Sequence, residues 1–353
     1  MTKGRARRSA FVAEGRAHAA RAALKAAWWS AAGAAVRAVA GARSARAAPA
    51  ATRPAAAPPG FVRRAWLGAF EKDARDIASG LYPPMERATS PLRALQRAAD
   101  LLADARTVER RRGRNGAAEA RDESALGAGY PAYYRQNFHF QSGGWFTSAS
   151  ARRYEAQVET LFAGAAGAMR RRALALLASA WRGRDHRGLS IADVACGSGA
   201  FLQDLARAFP RSPLVGIDLS GAYLGEASRR SGVAALVQAN AERLPFGTAS
   251  LDAVTCVYLF HELPPKVRET VAAEISRVLR PGGLLAFGDA IQVVDEPRLS
   301  RLLQAFPAYF HEPYFASYGE TDLAALFAAP GLRLRDQDHA FLTKAMLFER
   351  VAA

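Results

Sequence analysis

From Leu189 onward the chain alternates short runs rich in Val, Ile and Leu with stretches of helical periodicity, and this alternation narrows the fold more than any other feature. LSIADVA, SPLVGID, ALVQAN, LDAVTCVYLF and GLLAFGD read as strands, and helical stretches begin near Ala200, Gly221 and Pro265. Strands separated by helices build a parallel sheet covered on both faces. The end breaks the pattern. TDLAALFAA is a helix, and GLRLRDQ and AFLTKAMLFER are strands whose gap is too short for a crossover helix, which forces an antiparallel closing pair.

The first strand runs into DVACGSGAF. Gly197 and Gly199 let the backbone turn sharply and approach a ligand closely, and the helix that follows presents its N-terminal N–H groups. Asp218 closes the second strand, nineteen residues after Gly199. A carboxylate there can accept both hydroxyls of a ribose, in charge-assisted bonds contributing about 1.5–3 kcal/mol each. Together these features describe a nucleoside site at the carboxyl ends of strands one and two. A dinucleotide and S-adenosylmethionine compete for it. The dinucleotide fingerprint asks for a third glycine three residues after the second, and Leu202 stands there, so the loop does not favour a pyrophosphate.

On these residues the sequence resembles the class I S-adenosylmethionine-dependent methyltransferases, most closely the group of ubiquinone and menaquinone C-methyltransferases. DVACGSG, from Asp193 to Gly199, is similar to the family's first motif, with Ala195 where glycine is commoner. VGIDLS is similar to the second and implies that Asp218 holds the ribose and Leu219 flanks the adenine. QANAERLPF resembles the family's GDAExLPF element. It implies that Asn240 and Ala241 address the adenine edge, with an amide in place of the usual carboxylate. LRPGGLLAFGD and the closing pair also match, so the resemblance covers about residues 189–350. It implies a Rossmann-like α/β sheet, parallel with a closing antiparallel hairpin, and S-adenosyl-L-methionine as cofactor. After strand four comes VYLFHELPP, where the family's active site opens. Tyr258 joins the cofactor set there, and His261 is the first candidate for a base or substrate-orienting group, with Glu262 beside it and Asp289 ending strand five at the same rim. Methyl transfer from a sulfonium is an in-line displacement with a neutral leaving group. It calls for placement, worth about 7–11 kcal/mol, and for no metal.

Two aromatic segments frame this domain: YPAYYRQNFHFQSGGW from Tyr130 and FPAYFHEPYFASY from Phe306. The resemblance puts both at the acceptor's entrance, the first as a lid and the second as a substrate-covering insertion. Tyr134, His139, Phe140, His311 and Tyr314 are therefore the candidate substrate residues. Rings at the rim imply a hydrophobic small-molecule acceptor, quinone-, isoprenoid- or lipid-like. The competing interpretation is that these rings glue N-terminal helices onto the sheet. Gly143 and Gly144 suit a hinge or a tight turn equally.

The formal charge of +16 divides unevenly. Residues 1–60 hold 11 Lys/Arg against one acid, residues 61–188 hold 22 against 13, and residues 189–353 hold 15 against 18. The half bearing the motifs is thus mildly acidic, which argues against a nucleic-acid partner. Four regions follow. Residues 1–60, with 25 alanines and a Pro-rich end, read as a leader, disordered or targeting. Residues 61–129 read as helical with a charged loop, residues 130–188 as the aromatic lid and capping helices, and residues 189–353 as the cofactor-binding domain. Within the cap, Arg170, Arg171 and Arg172 read as a solvated face, and His18 has no supporting context. Two cysteines, Cys196 and Cys256, imply a reduced interior, and the eleven uncharged residues between Lys25 and Arg37 are too few to cross a bilayer. The expected location is cytoplasmic. A transit peptide would make it organellar, and a basic helix bearing Trp28 and Trp29 would give peripheral membrane contact. Two other functions stay open: a non-catalytic nucleoside-binding partner subunit, and a protein or RNA methyltransferase.

Overall fold

The computed structural model describes residues 2–40, 55–85, 91–114, 116, 129–231 and 235–352. The sheet expected from residue 189 onward is present. Its strands are β1 (Ile191–Val194), β2 (Leu214–Asp218), β3 (Ala235–Gln238), β4 (Leu251–Val257), β5 (Leu279–Ala290), β6 (Leu332–Ala340) and β7 (Thr343–Arg350). They lie in the order β3-β2-β1-β4-β5-β7-β6. The first five are mutually parallel, and β7 pairs antiparallel with both β5 and β6. The chain reverses direction across the sheet at β1, between β2 and β4, which opens a crevice at the strands' carboxyl ends.

The N-terminal helices are α1 (Thr2–Ala40), α2 (Phe61–Ala78), α3 (Pro91–Arg114), α4 (Ser148–Leu161) and α5 (Ala166–Ala180). Those woven through the sheet are α6 (Ala200–Ala208), α7 (Gly221–Ser231), α8 (Pro265–Val278), α9 (Ser300–Phe310), α10 (Phe315–Gly319) and α11 (Leu323–Ala328). One core, with Leu174, Leu177, Trp181, Leu202 and Leu205, joins α5 and α6 to one face of the sheet. A second, with Val271, Ile275, Phe287, Phe327 and Phe348, joins α8 and α11 to the other. Each such fully buried side chain contributes about 1.5–3 kcal/mol. Leu202 explains the missing third glycine. The close approach of helix and strand is made instead by Gly216 of β2, where an added Cβ would lie 2.7 Å from Leu202 Cδ2.

Within the stretch 1–60 that composition reads as a leader, disordered or targeting, residues 2–40 are a single helix, and Gly15, His18, Ala22, Ala26, Trp29 and Gly33 are buried along one side of it. These positions recur every three or four residues, the spacing of one helical face. Small residues permit the contact: a Cβ on Gly15 would meet that of Ala78 at 2.9 Å. The three consecutive arginines of α5 are buried rather than solvated, because α5 lies between the sheet and the outer helices. Each meets its own carboxylates: Arg170 with Glu155, Arg171 with Asp73 and Asp204, Arg172 with Asp76 and Asp338. Asp73 also bonds His18 at 2.6 Å, giving that histidine the context its sequence lacks. Of the expected charged loop, residues 109–114 belong to α3, and residues 117–128 lie outside the described residues.

Candidate active site

The crevice at the carboxyl ends of β1, β2 and β4 encloses about 1080 Å³, counting its open mouth. Its floor is the turn after β1. Ala195, Gly197 and Gly199 all adopt positive φ there, at 59°, 54° and 77°. Nothing would touch an added Cβ on Gly197, whereas one on Gly199 would meet Ala227 Cα at 2.9 Å. Gly199 is thus required by the packing of α6 against α7, and Gly197 keeps the floor open. Asp218 ends β2 with its carboxylate partly open to the crevice. It accepts the N–H groups of Gly197 and Ser220, each at 2.8 Å. Burial pushes its carboxyl up to about 6, while those N–H bonds pull the other way. Asp193 is more deeply buried, accepts the Thr255 hydroxyl at 2.6 Å, and is pushed by burial up to about 7.

Of the candidate cofactor residues, Asp193, Ala195, Gly197, Asp218, Leu219, Asn240, Ala241 and Tyr258 line this crevice. Gly199 lies just beneath it, packed against α7, with its neighbours Ser198 and Ala200 in the wall. Asn240 Oδ1 already accepts the Glu242 backbone N–H at 3.0 Å, so its amide is fixed in orientation. Tyr258 stands at φ 60°, which ends β4 earlier than the apolar run suggests and turns the chain toward the rim.

Sequence reasoning missed a buried charge pair at the loop. Arg170 bonds Glu155, which accepts the Ser198 hydroxyl at 2.8 Å, and all three line the crevice. Burial raises the Glu155 carboxyl, but the Arg170 and Arg230 guanidiniums outweigh it and bring the group down to about 2. Glu155 sits in a helix that looks merely amphipathic, so only its partner reveals its role in bracing the loop.

A second cavity, of about 640 Å³ counting its open mouth, adjoins the first and shares Tyr154, Tyr258 and Glu262 with it. The rest of its lining is mostly apolar, from Val158, Leu161 and Phe162 at and beyond the end of α4 to Leu302, Leu303 and Phe306 of α9 and Phe315 of α10. His139, His261 and Glu262 also line it. His261 Nδ1 lies 2.6 Å from Asp289 Oδ1, and its Nε2 lies 3.9 Å from Glu262. Burial lowers the imidazole's affinity for a proton, yet the Asp289 carboxylate outweighs that and raises it to about 10. Asp289 itself is fully buried, with its oxygens also taken up by the N–H groups of Phe260, His261 and Ala290. It lines neither cavity, and its contacts are with the turn that carries His261.

The five substrate candidates separate. Tyr134 lines the first cavity and His139 the second. Phe140 is buried against His311, with ring centroids 5.5 Å apart, and His311 bonds Gln136 at 2.9 Å. Neither they nor Tyr314 line either cavity; in the first segment the left-handed backbone at His139 and Phe140 sends these two adjacent side chains to different surroundings. Tyr314 instead offers its carbonyl to Arg268, a buried residue that also binds the Phe260 carbonyl at 2.8 Å and ties the second aromatic segment to the His261 turn.

A family model described as a methyltransferase domain matches residues 191–283. The fatty-acid O-methyltransferase of Mycolicibacterium smegmatis is 36% identical over 125 residues, 35% of this chain and 45% of that protein. The demethylmenaquinone methyltransferase of Lactococcus lactis is 36% identical over 132 residues, 36% and 50% of the two chains. That of Deinococcus radiodurans is 30% identical over 171 residues, 42% of this chain and 70% of the other. The chain spans about half the length of the first two. A solved magnesium protoporphyrin IX methyltransferase from Synechocystis, with bound SAH, is 15% identical over 56% of this chain and 87% of that one, at a TM-score of 0.41.

The chain belongs to the class I S-adenosylmethionine-dependent methyltransferases, and S-adenosylmethionine is its cofactor. The residues present fit that group: a glycine floor with no Cβ in the way, and a carboxylate on β2 still open to hydroxyl donors.

Proposed function

We propose that this chain methylates an oxygen or carbon of a hydrophobic small molecule, quinone-, isoprenoid- or lipid-like, held in the second cavity. The observation behind this is that the apolar cavity and the glycine-floored crevice share one wall, made of Tyr154, Tyr258 and Glu262. The cofactor supplies an electrophilic methyl group on a sulfonium. Asp218 accepts the ribose hydroxyls, Leu219 flanks the base, and Asn240 and Ala241 address its edge. The aromatic segment from Tyr130 covers the crevice and excludes water, with Tyr133, Tyr134, Phe138 and Trp145 in its wall. His261, oriented by Asp289 at Nδ1, donates from Nε2 to an acceptor oxygen that is already ionised, a carboxylate or phenolate, and holds it in line while its charge is spent on the new bond to the methyl carbon. Placement of this kind accounts for about 7–11 kcal/mol of a bimolecular barrier. Relatives named for fatty-acid and demethylmenaquinone methylation support an acceptor of this class.

The test uses methyl-labelled cofactor with long-chain fatty acids and prenylated hydroquinones. Label is expected in organic-extractable product. Leu303→Trp, which fills the second cavity, should cut turnover at least about tenfold while S-adenosylhomocysteine binding stays within about twofold. Label appearing only in protein or RNA would sink the proposal.

A further inference from the structure

His139, Glu262 and Glu312 come from three distant stretches of chain: the first aromatic segment, the turn after β4, and the segment just past α9. Each offers one ligand atom, and the three atoms lie within 4.8 Å of one another. Ligand atoms each about 2.1 Å from one ion stand roughly 3–3.5 Å apart, so modest side-chain rotations close the set. Glu312 supplies the independent sign of a ligand. Its side chain is fully buried, and neither carboxylate oxygen accepts a hydrogen bond. His139 Nε2 does lie 2.6 Å from Glu312 Oε1, but outside hydrogen-bond geometry, so the two atoms sit side by side like two ligands of one centre. Among the described residues no Lys or Arg pairs with either glutamate; the basic side chains beside them are His139 and His261. Burial holds the Glu262 carboxyl well above its ordinary range, and a divalent ion is one way, besides a proton, to relieve two carboxylates inside an apolar wall.

We propose that His139, Glu262 and Glu312 bind one divalent first-row transition ion in the wall of the second cavity. One imidazole with two carboxylates favours Mn²⁺, Co²⁺ or Zn²⁺ over Mg²⁺. Three protein ligands leave coordination positions free, and because His139 and Glu262 line the cavity, a carboxylate, enolate or hydroquinone oxygen there would complete the shell. That last step rests on the acceptor proposed for the cavity; the ion site does not.

The experiment titrates the full chain, stripped with chelator, with Mn²⁺ and Zn²⁺ chlorides in a calorimeter, without any acceptor. One site per chain is expected, weakened at least about tenfold in both Glu312→Gln and His139→Gln. S-adenosylhomocysteine affinity, staying within about twofold in each variant, reports that the fold is intact. Absence of uptake by the wild type, or equal uptake by wild type and both variants, overturns the site. Because no acceptor is present, a failed titration does not touch the methyl-transfer assay, which succeeds or fails by itself.

Discussion

A carboxylate that grips two hydroxyls must be ionised to do so, and burial works against that at Asp218. Its folded-state value of about 6 lies above the ordinary 3.8, so the ionised form is disfavoured in the empty crevice. Folding therefore loses stability from this group as pH rises from 3.8 through about 6, whereas cofactor binding gains from the same rise, because only the anion accepts both hydroxyls. S-adenosylhomocysteine affinity should climb between about pH 5 and 7 and level off above. Asp218→Asn should lose at least about tenfold in affinity at a pH of about 7.5, the contribution of one charge-assisted bond, and should flatten the pH dependence. A calorimetric series at several pH values reads both. An Asn variant with wild-type affinity would remove the ribose contact.

At the scale of elements, the parts legible in the sequence are those whose signal is local. Strand runs, the glycine turn and the acid closing β2 each depend on a few adjacent residues, and the antiparallel close follows from connection length. The second cavity was legible only in outline: the aromatic composition of the two segments predicts a rim, but which ring faces inward depends on positive φ at His139, Phe140 and Tyr258. Nothing in a local window forecasts a left-handed histidine. The arginines of α5 misled for a related reason. Three charges in a row look solvated until carboxylates from α2, α4, α6 and β6 arrive to meet them, and those partners lie far away along the chain. The consequence is testable at Arg171, whose guanidinium bonds Asp73 through Nε at 2.7 Å and Nη2 at 2.6 Å. Arg171→Met takes the guanidinium from a fully buried carboxylate, leaving it His18 and Tyr82, and should cost about 3–5 kcal/mol of stability by denaturant titration. Adding Asp73→Asn should restore part of that loss, since the buried charge goes with it; a double variant no better than the single would point to packing rather than charge.

At the scale of the whole molecule, α1 changes the part played by the N-terminal region. The stripe from Gly15 to Gly33 is built mostly of alanine and glycine with one buried tryptophan, so it carries little hydrophobic contrast and reads as featureless in sequence, yet it allows backbones to approach closely. Ala26 lies against Gly164, whose added Cβ would sit 2.8 Å from Ala26 Cα, and Lys25 pairs with Glu159 of α4 at 2.7 Å. Helix α4 in turn lines both cavities, so α1 braces the wall between them from behind. No helix among the described residues is long and apolar enough to cross a membrane. Trp29 is buried inside the protein, while the neighbouring Trp28 remains partly exposed, which divides the pair that composition alone would assign jointly to a lipid surface. Trp29→Ala should lower stability by about 3 kcal/mol, the usual cost of emptying a buried aromatic site, and Trp28→Ala should cost under about 0.5 kcal/mol, as for an exposed substitution. Urea midpoints for the two variants separate the alternatives: equal midpoints would mean that α1 does not pack through Trp29.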